Sequence, residues 1–179
     1  MASVLVPLAQ GCEELEAVTI VDLMRRAGIE VITAGLDSQP VCASQGMVLI
    51  PDLELDEALQ RDYDMVVLPG GLPGADHLKN DARIIRLLVQ MKEADKYTAA
   101  ICAASSVLAE AGLLEGKRAT SFPGSMDAGS VPGLEYVEQP VVTDGRVITS
   151  RGTGRAKDFA LELMETRSSN QLGEQIDSG

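Results

Sequence analysis

Cys102 stands in "TAAICAASSVLAEAG", where an apolar run ends and a helical pattern begins. A thiol at such a junction can serve as a nucleophile. Its neighbours Ala100, Ala103, Ala104 and Ser105 are small, which a sharp strand-to-helix turn needs because its backbone is strained and crowded. The start of a helix carries the positive end of the helix dipole, which favours thiolate. The backbone N–H of Ala103, with that of Gly70 or Gly71 in "MVVLPGG", can face an oxyanion formed on a substrate. Paired glycines let a backbone approach a ligand closely; their plainer reading is a tight turn. The plainer reading of Cys102 is an inert core thiol, since free cysteine is among the most buried residue types.

A second reactive group comes from "CEELEAVTIVDLMRRAGIE", read as the first helix. At helical spacing Ile20, Leu23, Met24 and Ala27 form its apolar stripe. Glu16 and Glu13 fall within that arc, whereas Glu14 points elsewhere. A carboxylate on the buried side of a helix is costly unless paired or protonated. A protonated Glu16 can donate a hydrogen bond to a thiolate or act as a general acid and base. Glu13, nearer the helix start, fits better as a first-turn acid favoured by the dipole.

The elements that must bring these groups together alternate along the chain. "VLVPLA" (4–9), "VITAGL" (31–36), "MVVLPGG" (65–71) and "YTAAIC" (97–102) read as buried parallel strands. Helices lie between them, including the amphipathic 81–94, and another is expected near 103–111. Residues 39–51 read as two short strands around a Ser44–Gly46 turn, 135–150 as strand, Asp-Gly turn and strand, and 155–167 as the last clear helix. Alternation of this kind implies right-handed crossovers and a sheet covered on both faces. The expected fold is a three-layer, flavodoxin-like α/β sandwich with a mostly parallel sheet and a small antiparallel addition. Residues 1–167 form one domain, and 168–179 a partly disordered tail. In open sheets of this type ligands collect at the carboxyl ends of the strands, where both Cys102 and the Gly70-Gly71 turn fall.

Bulk composition narrows the function classes. The chain has 179 residues, of which 45% are hydrophobic, with 15 basic and 27 acidic residues for a net charge of −12. Such a charge repels phosphate backbones and argues against nucleic-acid binding. The three cysteines, Cys12, Cys42 and Cys102, include no CxxC pair, and His77 is the only histidine, so neither a disulfide framework nor a metal site is expected. No apolar run reaches the ~18 residues of a membrane span. The first residues lack the basic leader of a signal peptide, so the expected location is cytoplasmic, without membrane association. "RGTGR" (151–155) lacks the spacing of a dinucleotide fingerprint and reads as a strand-to-helix connection.

"EELEAVTIVDLMRRAGIEV", "DMVVLPGGLPGADHL", "AAICAASSVLAEAGLL" and "VITSRGTGRAKDFALELM" together resemble the ThiJ/PfpI superfamily. More narrowly they look like its branch of the parkinsonism-associated protein deglycase and bacterial YajL. The resemblance runs from about Val4 to about Glu165. It implies a flavodoxin-like homodimer with no cofactor. It implies a reactive cysteine on a nucleophile elbow, matching Cys102, with a partner glutamate matching Glu16 and the Gly-Gly turn matching Gly70 and Gly71. Members are described as oxidative-stress proteins whose cysteine oxidises to sulfinate, and glyoxalase, deglycase and chaperone activities are ascribed to them. Peptidase-like members place a histidine directly after the cysteine, where this chain has Ala103; others carry one on the following strand, where it has Phe122. Thr153 stands where relatives often have proline.

Two functions follow as expectations. In the first, Cys102 adds to a reactive α-oxoaldehyde or acts on glycated protein. In the second, it is a redox-sensing thiol of a protein or holdase chaperone without turnover. A cysteine peptidase is disfavoured by the missing dyad histidine, and His77 reads as an exposed residue at a helix start.

Overall fold

The computed structural model describes residues 2–177, with side chains through residue 166. Strand β1 (Ser3–Leu8) is followed by helix α1 (Glu14–Arg26) and β2 (Glu30–Gly35). A small hairpin, β3 (Val41–Cys42) and β4 (Val48–Leu49), precedes β5 (Leu53–Glu54) and the short helix α2 (Leu55–Ala58). The middle of the chain holds β6 (Met65–Leu68), α3 (Gly74–Asn80), α4 (Ala82–Glu93), β7 (Tyr97–Ile101) and α5 (Ser105–Glu110). Then come β8 (Arg118–Ala119), β9 (Glu135–Tyr136), β10 (Val141–Asp144), β11 (Val147–Ser150) and α6 (Ala156–Asp177).

Seven strands form the central sheet in the order β10-β11-β7-β6-β1-β2-β5. All neighbours are parallel except β10, which runs antiparallel to β11. The expected flavodoxin-like sandwich is therefore present, and the β3–β4 hairpin is the antiparallel addition. Alternation along the strands feeds two separate cores. Leu5, Val66, Leu68 and Ala100 face α2, α3, α4 and α5 through Leu55, Leu78, Leu88 and Leu108. Val4, Val6, Val67 and Ile101 face α1 and α6 through Ile20, Met24, Phe159 and Leu163. Period-two side chains buried on both sides explain why these strands read as unbroken apolar runs. Full burial of one such Phe or Leu stabilises by roughly 1.5–3 kcal/mol.

Several boundaries differ from expectation. The strand expected from residue 135 divides: β9 leaves the main sheet to pair with β8, and β10 begins only at Val141. Helix α6 extends past residue 167; the expectation of a partly disordered tail over 168–179 falls outside the residues with described side chains. The buried face of α1 consists of Glu14, Glu16, Ala17, Ile20 and Met24, while Leu23 is half-buried and Ala27 exposed. Glu14, which the helical wheel turns away from the apolar arc, is buried because the β3–β4 hairpin folds over the start of α1. Among the described residues no helix is long and apolar enough to cross a membrane.

Candidate active site

The C-terminal ends of β6 and β7 and the start of α1 meet at one point on the sheet edge. β7 ends at Ile101, and the chain turns at once into a 3-10 turn, Cys102–Ala104, that leads into α5. At that corner Cys102 has φ 60°, a left-handed conformation that costs a non-glycine residue ~1–3 kcal/mol. Small, buried Ala100, Ala103, Ala104 and Ser105 surround it. The Phe122 N–H donates to the Cys102 carbonyl at 3.2 Å. These contacts hold the thiol half-buried at the sheet edge.

Glu16 enters from the first turn of α1 and has no solvent exposure. Its two oxygens are separately engaged. Oε2 accepts the Gly70 N–H at 2.8 Å, and Oε1 accepts the Thr153 hydroxyl at 3.0 Å. Gly70 is the hinge of this arrangement. A Cβ there would stand 2.6 Å from the Cys102 Cβ and 2.7 Å from Glu16 Oε2, so a side chain would separate acid from thiol. Gly71 has φ 92°, and its N–H, like that of Ala103, acts on the Cys102 sulfur. The turn is further tied to α1 by the Glu13 N–H, which donates to the Gly70 carbonyl at 2.9 Å.

The two groups control each other's protons. Burial, then the neighbouring Glu16 charge, pushes the Cys102 thiol up to about 11, against the N–H groups of Ala103 and Gly71. Burial also raises Glu16, against hydrogen bonds from Gly70, Thr153 and Cys102. Two negative charges in one buried site repel, so the first proton lost from the pair leaves more readily than the second. The singly protonated pair is either thiol with carboxylate or thiolate with carboxylic acid. This corrects the expectation that the helix dipole favours the thiolate: the carboxylate beside the sulfur and the burial outweigh it. Such a pair can deliver a nucleophilic sulfur and an acid in one step, and recover a base when the acid has given up its proton.

The remaining expected groups fall as follows. Gly71 and Ala103 turn their N–H groups to the sulfur, which leaves them beside any atom bonded to it. Gly70 does not, because its N–H is taken by Glu16. Glu13 is the N-cap of α1, the helix-start role expected for it. His77 is exposed on α3 and is not among the groups acting on the Cys102 thiol. Phe122 is 51% exposed. "RGTGR" is a strand-to-helix connection with a 3-10 turn, Thr153–Arg155. Thr153 is the site group that sequence reasoning missed. Its one signal was its place where the ThiJ/PfpI pattern often has proline, which carries no hydroxyl.

Comparison with known proteins places this geometry in context. Residues 2–166 match the DJ-1/PfpI family. The chain is 40% identical to protein DJ-1 homolog B of Arabidopsis thaliana, over 97% of this chain and 40% of that longer protein. It is 33% identical to the glutathione-independent glyoxalase DJR-1.2 of Caenorhabditis elegans, covering 92% of this chain and 87% of the relative. The crystal structure of Drosophila melanogaster DJ-1beta superposes with a TM-score of 0.87 at 42% identity, covering 92% of this chain and 89% of that one.

Proposed function

The chain belongs to the DJ-1/PfpI family, and from that premise we propose that it is a cysteine-dependent carbonyl-stress enzyme acting on α-oxoaldehydes or glycated protein. The observation that carries this reading is the proton-sharing pair of Cys102 and fully buried Glu16. The relative named a glutathione-independent glyoxalase supports the substrate class.

The reaction uses the pair's single proton. Cys102 sulfur attacks the aldehyde carbon of methylglyoxal, and Glu16 delivers its proton to the carbonyl oxygen, giving a hemithioacetal. The N–H groups of Ala103 and Gly71 steady the charge on that oxygen as it forms. Glu16, now a carboxylate, removes the hydrogen on the former aldehyde carbon and returns it to the neighbouring ketone carbon. A proton from water reaches the ketone oxygen and the hemithioacetal hydroxyl loses its own, leaving a thioester of a 2-hydroxy acid. Water cleaves the thioester, releasing the acid and restoring the thiol. One carbon is oxidised and its neighbour reduced, so no external redox cofactor is needed. With glycated protein, the same sulfur displaces the amine at the aldehyde-derived carbon of the hemiaminal adduct, Glu16 giving its proton to the departing nitrogen, and the same hemithioacetal results.

Loss of methylglyoxal and appearance of lactate test the proposal, with wild type and Cys102→Ser compared. Turnover confined to wild type is expected; equal turnover overturns it.

A second reading has its own support. The N–H groups of Ala103 and Gly71 and a protonated Glu16 around the sulfur are donors that sulfinate oxygens would accept. Under this reading Cys102 is a redox sensor. Peptide mass spectrometry after mild peroxide should find oxygen on Cys102 before exposed Cys42 or buried Cys12; the reverse order ends it.

We further propose a homodimer in the cytoplasm. Leu15 and Val18 on α1 and Met47, Val48 and Ile50 beside the hairpin are exposed apolar side chains, from 44% to 73%, and an apolar surface of this kind suits a second copy. A monomeric mass by light scattering would exclude the dimer.

A further inference from the structure

We infer that this protein has a second ligand site, a cationic cleft at the N-terminal edge of the sheet that takes a phosphate ester with an apolar body. The cleft holds about 330 Å³ between α4 and the approach to β6, the lower end of small-molecule pocket sizes. Cys102 follows the C-terminal end of β7, whereas Lys96 immediately precedes that strand. The cleft is thus at the opposite edge from the catalytic pair.

Three features argue for an anion. Arg61, Arg86 and Lys96 line the cleft against one acid, Asp62. Among the described residues no ion pair holds any of these three cations, whereas Arg83 beside them is held by Asp81 at 2.6 Å and Asp56 at 2.9 Å. This happens in a chain with 27 acidic and 15 basic residues, so three unpaired like charges run against the overall composition. Their mutual repulsion is relieved by a bound anion. A neighbouring cleft of about 200 Å³ shares Lys96 and adds Lys92. Its Lys117 and Arg146 are paired with Asp144 at 3.9 Å and Asp95 at 3.4 Å, which leaves Lys92 and Lys96 as its unpaired cations among the described residues.

The walls specify the rest of the ligand. Leu59, Leu87 and Met91 line the same cleft. Tyr63 is buried, and its hydroxyl is already donated to the Ala58 carbonyl at 2.9 Å. The Tyr63 hydroxyl is thus not free for a ligand, and the lining is mixed: Gln90 and the cations supply polar surface beside the apolar surface of Leu59, Leu87 and Met91. Guanidinium groups match phosphate oxygens in pairs. The fitting ligand places a phosphate on Arg61, Arg86 and Lys96 and an apolar ring or chain over Leu59, Leu87 and Met91.

The test is an NMR titration of the full chain with phenyl phosphate, with inorganic phosphate and phenol as references. Shift changes should gather on Tyr63, the second half of α4 and Lys96. Phenyl phosphate should bind at least about fivefold more tightly than either reference, as expected when charge and apolar contact add. Arg61→Gln with Arg86→Gln should weaken it at least about tenfold, because both side chains would meet the phosphate. Both arginines are exposed and unpaired, so the variant keeps the fold. Binding should persist in Cys102→Ala, which separates this site from the proposed enzyme. No binding at ~10 mM, shifts that gather at Cys102, or affinity unchanged in the double variant each overturn the inference.

Discussion

Glu14 and Glu16 lie two residues apart on α1, both buried, and they meet opposite fates. Burial works to raise both. For Glu14 the donors win: its own N–H, those of Gln45 and Met47, and the Ser44 hydroxyl hold the carboxyl below its ordinary range. For Glu16 they lose, although Gly70, Thr153 and Cys102 all donate, and the carboxyl is raised. Glu14 is thereby a fixed anion that fastens the β3–β4 hairpin to α1, with the Gln45 N–H 2.9 Å from Oε1. Glu16 is left able to gain and lose a proton beside a thiol. A pair of acids on one helix is divided into structure and chemistry by the number of donors each meets and the depth at which it sits.

The largest break in that comparison is Glu16→Gln against Glu14→Gln. If Glu16 passes the proton as proposed, its replacement should lower methylglyoxal turnover by ~10²–10⁴. Removing the hairpin anchor should leave turnover nearly intact. Equal losses in both variants would dissolve the distinction.

Gly70→Ala comes next. The added methyl would press on Cys102 and Glu16 together, and a displacement of ~1 Å can cost ~10²-fold in rate. A crystal structure of the variant should show the acid and thiol moved apart, and unchanged activity would refute the hinge role.

Stability against pH separates the acids more gently. Glu14, lowered from its ordinary 4.5, stabilises above that value, and its contribution is lost as pH falls through its folded pKa. Glu16, raised from 4.5, has the reverse sign: its contribution is full below that value and lost as pH rises through its folded pKa. Chemical denaturation should therefore find Glu14→Gln weaker than wild type at neutral pH and nearly equal in acid. The deficit of Glu16→Gln should shrink, or reverse, as pH rises. Parallel curves for the two variants would contradict the assignment.

The smallest effect belongs to Thr153. Its hydroxyl favours the Glu16 carboxylate, so Thr153→Val should keep the proton on Glu16 to higher pH and reduce repulsion of the thiolate. Cys102 alkylation should then begin at lower pH, by about 0.5–1 unit for one lost hydrogen bond. Thr153→Ser should restore the wild-type profile. A Val profile that does not move would show the hydroxyl to be inert.

How much of this was legible in the chain differs residue by residue. The β6 and β7 strands, the Cys102 corner and the buried placement of Glu16 follow from short-range periodicity and from small residues around one sulfur. Glu14 was misread because its burial comes from a hairpin about 30 residues away, which no helical wheel represents. Thr153 reaches Glu16 across 137 residues, and only the folded chain, with α6 packed on α1, brings the β11–α6 connection beside it. The Gly70 N–H looked available for an oxyanion because its prior claimant, Glu16, lies on another element. Local pattern located the parts; which donor meets which acceptor was decided by long-range topology.

The left-handed backbone at Cys102 has an evolutionary corollary. A glycine would occupy that corner without conformational penalty, so any lineage released from selection on the sulfur has an easy exit there. The sulfur is what such an exchange would give up, and the backbone of the corner would gain from it.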